Sequence, residues 1–548
     1  MEPASRSQFA SPRASIAALF GGVPGAVSAA IAVAAGLALR LWMLNQFPQI
    51  SGDTLIYGGL AKNLLLHCQY AITDSSGALH STLIRLPGYP FFLAICFRLF
   101  GMENYFAAAY VQIALDLAGC LLLAAFVRRI ASPAAAQCTL WLGVLCPFTA
   151  VYAAAPLTET PTLFALALAL WSLARFHARP GWPSALSFTA AVTFAALLRP
   201  DGALVAVALA PALLSALKGQ DFTDRARTQS GGWRGFQPPH KATRIRVGFS
   251  PGRIFPLDSL KILPFFGEIF SRAATENQNS LGSSPRGNRA SIIRMALVCM
   301  LLAILPFAAW TLRNWRVFHV FEPLAPRYAT DPGEEVYPGW QRWVKTWCLD
   351  FVSTYEIYWN VPGSALDLTK LPSRAFDSPA QYAETAAIVA AYDDNGQDLS
   401  PALDARFAQL ANERIAAHPW RYYVLLPLGR LADMGLRPRV ENLPIDLDWW
   451  VYAHHNDETR FSWFYAALNA FYLLLGIAGL CLRPRFWRSM LAYLLLRSAL
   501  LTTIEAPEAR YTLEFFPILF VLAGIALQWF TKVVWRSVLN VKASPGRD

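Results

Sequence analysis

Apolar residues along this chain come in long runs and not in alternation. Near-continuous apolar stretches fall at roughly 22–44, 105–127, 133–153, 158–175, 184–198, 201–217, 295–312, 462–482, 487–504 and 513–531. Each is close to, or slightly short of, the ~20 residues that a helix needs to cross a hydrocarbon core. The pattern predicts an all-α polytopic membrane protein with about ten transmembrane helices. The run at 86–100, LPGYPFFLAICFRLF, is shorter. With about 13 apolar residues it suits an interfacial or re-entrant segment, and counting it as a span would reverse the side of every later loop.

With that choice the basic loops share one side. Arg128 and Arg129, RFHARP (175–180), the insert 218–294, RPRFWR (483–488) and the C-terminal tail are cytoplasmic by the positive-inside rule. The insert carries 13 Lys/Arg against 5 Asp/Glu and is rich in Ser, Gly, Arg and Asn, which reads as a poorly ordered loop. The opposite side receives 45–104, 154–158, the RPDG turn (199–202), the segment 313–461 and TTIEAPEAR (502–510). Segment 313–461 holds 20 Asp/Glu, 14 Lys/Arg and eight tryptophans, among them Trp315, Trp449 and Trp450, and reads as an outer domain of short helices. The expected organisation is a transmembrane module 1–217 with a first outer loop at 45–104, the basic loop 218–294, one helix at 295–312, the outer domain 313–461, C-terminal helices at 462–532 and a tail at 533–548, with both termini cytoplasmic. The first apolar run follows a polar start with Arg6 and Arg13 and ends without a small-residue cleavage site, so it reads as an uncleaved anchor.

Composition agrees with the runs. The chain has 548 residues, 55% of them hydrophobic and only 15% charged, with a mean hydropathy of +0.34, far too apolar for a soluble multidomain protein. The net charge of +11 sits in the loops between apolar segments, so it reports orientation in a membrane and not nucleic-acid binding. Six of the eight cysteines lie in apolar segments without metal-ligand spacing, so neither a disulfide framework nor a metal site is expected.

On this topology Asp53, Arg85, Glu159, Glu508, Arg510 and Tyr511 converge at the outer surface from segments far apart in sequence. Charges that border apolar spans are costly and tend to be functional, yet each has an ordinary alternative. Asp53, in SGDTLIYGGLAKNLL (51–65), could cap the amphipathic helix that follows it. Glu159, in PLTETP, could complement a helix dipole. Arg85 could anchor to lipid headgroups, and Arg40 could snorkel from the end of the first span. The sequence EAPEARYTLEFFP (505–517) is the densest polar cluster, and an interfacial girdle is its alternative. Asp116 lies near the middle of a span and needs a partner, for which Gln112 one turn earlier is a local candidate.

These residues resemble the GT-C membrane glycosyltransferases, specifically the family 39 group of protein O-mannosyltransferases, lipid A aminoarabinose transferases and their bacterial relatives. The matching pieces are LRLW…SGDTLIYGGLAKNL (39–64), RLPGYPFFLAICFRLFG (85–101), PLTETP (156–161), LLRPDG (197–202), TLRNW (311–315) and EARYTLEFFP (508–517), in the family's order. The resemblance implies a GT-C-like bundle with interfacial helices in the first outer loop, in a bacterial inner membrane. It also implies transfer of a sugar from a polyprenyl-phosphate carrier to an acceptor hydroxyl on the outer face. Asp53 matches the family's first-loop catalytic acid, and Glu159 stands where relatives often have Asp. Arg85, Glu159, Glu508, Arg510 and Tyr511 are then candidate substrate-binding residues, the lipid-linked sugar is the donor, and no metal is expected. Inverting transfer needs a base on one face of the sugar and a stabilised leaving group on the other. Asp53 is the candidate base, and a guanidinium such as Arg510 or Arg85 the candidate phosphate holder. The main alternative is a secondary transporter or lipid flippase, since RP at 199–200 interrupts two short apolar pieces. A noncatalytic membrane protein with a partner-binding outer domain is the third reading.

Overall fold

The computed structural model of the protein describes residues 22–50, 52–216, 289–447 and 456–542. Most of the expected insert at 218–294 lies outside them, as do Trp449 and Trp450. Every apolar run folds as helix. In chain order the first part is α1 (Val23–Gln46), α2 (Asp53–His67), the strands β1 (Ala71–Thr73) and β2 (Leu79–Ser81), α3 (Gly88–Phe100), α4 (Tyr105–Ile130), α5 (Pro133–Val144), α6 (Pro147–Ala153), α7 (Glu159–Ala178), α8 (Trp182–Leu198) and α9 (Ala203–Ser215). After the gap come α10 (Arg289–Phe318), the outer-segment helices α11 (Pro338–Lys345), α12 (Phe351–Glu356), α13 (Pro379–Asp394), α14 (Pro401–Ala417) and α15 (Leu426–Leu436), and then α16 (Asn456–Cys481), α17 (Trp487–Leu501) and α18 (Phe516–Lys542). The two strands pair antiparallel with Ala71 opposite Ser81.

The protein is a polytopic helical bundle. Among the described residues six helical segments are long and apolar enough to cross a membrane, and the bent pair α5–α6 makes a seventh. The expected count of ten is therefore not reached by length and composition alone. The runs expected at 184–198, 201–217 and 487–504 form helices of 17, 13 and 15 residues. At ~1.5 Å per residue these span ~20–26 Å, short of a ~30 Å core. The 13-residue α3 is as short as α9, as an interfacial segment would be.

Helices α4, α7 and α18 form the inside of the bundle, with α10 on its rim. Their buried faces are rich in small residues such as Ala109, Ala124, Ala165, Ala169 and Ala526, which lets backbones approach closely.

Between α5 and α6 the span bends by 56°, because Pro147 cannot continue the hydrogen-bond ladder from above. The bend leaves carbonyls of α5 without helical donors, and Arg40 of α1 supplies them. Its Nη1 donates to Val144 O at 2.7 Å and to Gly36 O at 2.9 Å, while its Nε donates to Asp116 Oδ2 at 2.7 Å. Arg40 is fully buried and Asp116 nearly so. Two sequence expectations are thereby corrected. Arg40 does not snorkel, because its guanidinium is consumed inside the bundle. Gln112 is not the partner of Asp116, because it accepts from Tyr89 Oη and donates to Ala155 O, both at 2.6 Å. The close approach needs Gly36, where a Cβ would come within 2.6 Å of Val144 Cβ.

In the segment that follows α10, α11 places Trp340, Trp343 and Val344 at helical spacing on one face, the turn after it adds Trp347, and these residues cluster with Phe407 and Ala411 of α14. The segment is tied to the bundle where the chain enters α18. Thr354 Oγ1 donates to Pro507 O at 3.0 Å, and Arg439 Nη1 donates to Ala509 O at 2.8 Å.

Removing Asp116 leaves Arg40 as an uncompensated buried charge. Asp116→Ala is expected to cost about 3–5 kcal/mol, read as a lowered thermal unfolding midpoint in detergent, and a change below ~1 kcal/mol would contradict the structural role of the pair.

Candidate active site

Asp53 opens α2 just after Gly52, whose φ of +53° turns the chain into the helix. The expectation that Asp53 caps this helix is not met, since Gly52 occupies the cap position and Asp53 is the first helical residue. Its carboxylate oxygens face outward to two arginines. Arg85 Nη2 donates to Oδ1 at 3.0 Å, and Arg510 Nη1 donates to Oδ2 at 3.1 Å. The first residue of α2, one that precedes α3 and one that precedes α18 thus meet at one carboxylate.

The supporting contacts are local and specific. Thr54 Oγ1 donates to Pro156 O at 3.2 Å, which joins the start of α2 to the turn before α7. Tyr70 Oη donates to Arg85 O at 2.9 Å. Arg313 of α10 donates to Tyr70 O and Thr82 O at 2.8 and 2.7 Å, and Asp331 accepts from Leu83 N at 2.7 Å. The backbone before and at Arg85 is therefore held by Tyr70, Asp331 and Arg313.

From Arg510 the pairing continues inward. Its Nε donates to Glu508, whose other oxygen accepts from Tyr511 Oη. Its Nη1 lies 4.0 Å from Glu159 Oε1. Glu159 accepts from Arg199 Nη1 at 3.1 Å, and Arg199 Nε donates to Asp201 Oδ1 at 3.2 Å. Arg497 of α17 then donates to Asp201 Oδ2 at 2.9 Å and to Glu514 Oε2 at 2.6 Å. The guanidinium carbons of Arg199 and Arg510 lie 5.6 and 5.7 Å from the centroid of the Tyr511 ring, within cation–π range.

All six residues singled out from the sequence thus lie in one connected network. Glu159 is no simple dipole partner, since it is buried between Arg199 and Arg510. Arg85 is no free headgroup anchor. The sequence reading missed Arg199, Asp201 and Arg497 as members of this network, while Glu514 fell within its 505–517 cluster without a role of its own. A lone arginine within the apolar run AYLLLRSALL (492–501) was the available signal for Arg497. Glu505, in the same cluster as Glu508, points elsewhere, to Lys345 at 3.6 Å and Arg327 at 3.5 Å. Among the described residues no group of three His, Cys, Asp or Glu side chains is placed to hold a metal ion.

The electrostatics at Asp53 have a clear direction. Burial pushes its carboxyl up, but the charges of Arg510 and Arg85 and their hydrogen bonds outweigh burial and hold it below the ordinary carboxylate range. The stabilisation from this clamp is therefore fully present above the ordinary Asp value of about 3.9 and is lost as pH falls through the depressed value. The difference in unfolding midpoint between the wild type and Asp53→Asn is expected to be constant above about pH 5 and to shrink below about pH 4. A difference that grows on acidification would contradict the clamp. Arg497→Ala, which leaves Glu514 and Asp201 with Arg199 alone as their shared cation, is expected to destabilise by about 3–5 kcal/mol in the same assay.

No curated protein matches the chain. Among solved structures it is similar to the archaeal oligosaccharyltransferase AglB from Archaeoglobus fulgidus in complex with an inhibitory peptide and a dolichol-phosphate, at 12% identity and a TM-score of 0.41, over 95% of this chain and 52% of that one. The chain thus spans about half the length of AglB. It is also similar to ArnT from Cupriavidus metallidurans bound to undecaprenyl phosphate, at 14% identity and a TM-score of 0.32, over 91% of this chain and 77% of that one. Residues 84–225, a stretch that contains Arg85, Glu159, Arg199 and Asp201, match the family described as dolichyl-phosphate-mannose-protein mannosyltransferase.

Proposed function

We propose that the protein is a glycosyltransferase that moves a sugar from a polyprenyl-phosphate carrier to an acceptor hydroxyl of a protein, lipid or glycan, with inversion. In this reading it sits in a bacterial inner membrane with both termini in the cytoplasm, and the site around Asp53 opens on the outer face. The module 1–217 and the helices 462–532 form the membrane body, while 313–461 is the outer domain that meets the acceptor. The donor's polyprenyl chain stays among the helices and its sugar protrudes to Asp53.

The single observation that carries the reading is the meeting of one carboxylate with two arginines at the end of the bundle, at Asp53, Arg85 and Arg510. Glycosyl transfer with inversion asks for both kinds of group, a base on one face of the sugar and a cation for the leaving group on the other. Asp53 accepts the proton of the acceptor hydroxyl, and the acceptor oxygen attacks the anomeric carbon. The bond from that carbon to the phosphate oxygen breaks with its electron pair, and the leaving phosphate stays on the guanidinium groups. A phosphate leaves readily enough that no general acid is required. Glu508 and Tyr511 fix Arg510 for this task, and Glu159 braces it from behind. A transport reading finds less support, since its charges belong near the bilayer midplane. The Arg40–Asp116 pair within the bundle is closed on itself and on backbone carbonyls.

Deletion of the gene, followed by mass analysis of lipid-linked sugars and envelope glycans, tests the reading. An accumulated polyprenyl-phosphate sugar together with a lost modification is expected; unchanged pools of both would count against it. In complementation, Asp53→Asn is expected to lower transfer by about 10²–10⁴-fold, the usual contribution of a general base, at wild-type protein levels.

A further inference from the structure

The network contains four arginines, Arg85, Arg199, Arg497 and Arg510, and five carboxylates, Asp53, Glu159, Asp201, Glu508 and Glu514. Each of the four arginines already has a carboxylate, and with all groups ionised the acids exceed the cations by one (5 − 4). The network therefore offers no uncommitted cation to a further anion. A phosphate that binds here must take an arginine away from a carboxylate, because an added buried anion without a partner costs several kcal/mol.

Exposure identifies which carboxylate can yield. The side chains of Glu514, Glu159 and Glu508 are 0%, 2% and 6% exposed and that of Asp201 is 14%, whereas Asp53 is 24% exposed and its partners Arg85 and Arg510 are 23% and 22%. Asp53 and its two arginines are the most exposed end of the network, ahead of Asp201 with Arg199 at 16%. Both arginines are also held by contacts that do not involve Asp53. Arg510 keeps Glu508 through its Nε, and Arg85 keeps Ile84 O through its Nη1 at 3.3 Å. If Asp53 lets go, both guanidinium groups stay in place with donors freed and aimed at one spot.

The geometry points to Asp53 as a place-holding anion, which occupies the Arg85 and Arg510 pair until the phosphate of the lipid carrier displaces it. The inference rests on the reading of the donor as a polyprenyl phosphate, and deepens it. A carboxylate tied to two guanidinium groups is a poor base, because its lone pairs are engaged and its charge is compensated. Displacement by phosphate hands the arginines to the group that must leave and releases the carboxylate that must accept a proton. The acceptor O–H then gives its proton to Asp53, the new carbon–oxygen bond forms, and the old one breaks to leave the lipid phosphate on the arginines. Base activation thus waits for the donor, so an acceptor that arrives first meets a blocked carboxylate.

The test is equilibrium binding of undecaprenyl phosphate to the purified full chain in detergent, which requires no acceptor and no turnover. Asp53→Asn removes the competing charge while it abolishes the base. It is expected to bind about tenfold more tightly than the wild type, equivalent to about 1.4 kcal/mol. Asp53→Ser serves as a second variant, with folding of each checked by an unchanged gel-filtration profile, and is expected to shift in the same direction. Affinity equal to or weaker than the wild type in a folded variant would overturn the exchange while leaving the donor reading intact. No saturable binding by the wild type or either variant would overturn the donor reading, and the exchange with it.

Discussion

A carboxylate at the end of a membrane bundle is expensive unless a cation meets it, and a guanidinium there is expensive unless an anion does. The ion pairs of Asp53 with Arg85 and Arg510 settle both costs at once. They also bring together three stretches of chain that share no local contact in sequence. Behind them the same rule recurs from Glu159 through Arg199 and Asp201 to Arg497 and Glu514. The turn between α8 and α9, the start of α7, the middle of α17 and the entry to α18 are thereby fixed against one another. What this achieves is placement: the exposed end of the network is held in position by a buried end that cannot rearrange cheaply.

A second pair does the equivalent work inside the bundle. Arg40 and Asp116 hold a bend that Pro147 makes necessary, and the guanidinium replaces the donors that the bend removes. The bend directs α6 towards the turn at 154–158, which carries Pro156 against Thr54 and leads into Glu159. A buried charge near the middle of a span therefore reaches the candidate active site through backbone direction, without touching it. The segment that carries α11 to α15 also meets this region, through Thr354 on Pro507 and Arg439 on Ala509.

The membrane character of the fold was legible in the sequence because apolar run length reports it directly. The convergence of Asp53, Arg85, Glu159 and Arg510 was legible too, since the loop-charge reading expects them on one side. Partner choice was not. Gln112 is one turn from Asp116, yet the true partner lies 76 residues away, and Arg497 meets Asp201 across 296 residues. Helices that are apolar on all faces carry little periodicity to say which face meets which neighbour, so long-range pairs inside the bundle leave no local trace. The capping alternative for Asp53 failed for a related reason: a favourable first-turn acid looks the same in sequence whether its carboxylate serves the backbone or a distant arginine. The number of spans is not fixed by apolarity alone, because α8, α9 and α17 are apolar but short.

The most direct measurement of the central claim is an experimental structure of the full chain with a polyprenyl-phosphate sugar bound. The account predicts phosphate oxygens within hydrogen-bond distance of Arg85 and Arg510, the sugar's anomeric carbon facing Asp53, and Asp53 no longer bridging both guanidinium groups. A phosphate bound at the opposite end of the bundle, or elsewhere with the Asp53 clamp intact, would contradict it.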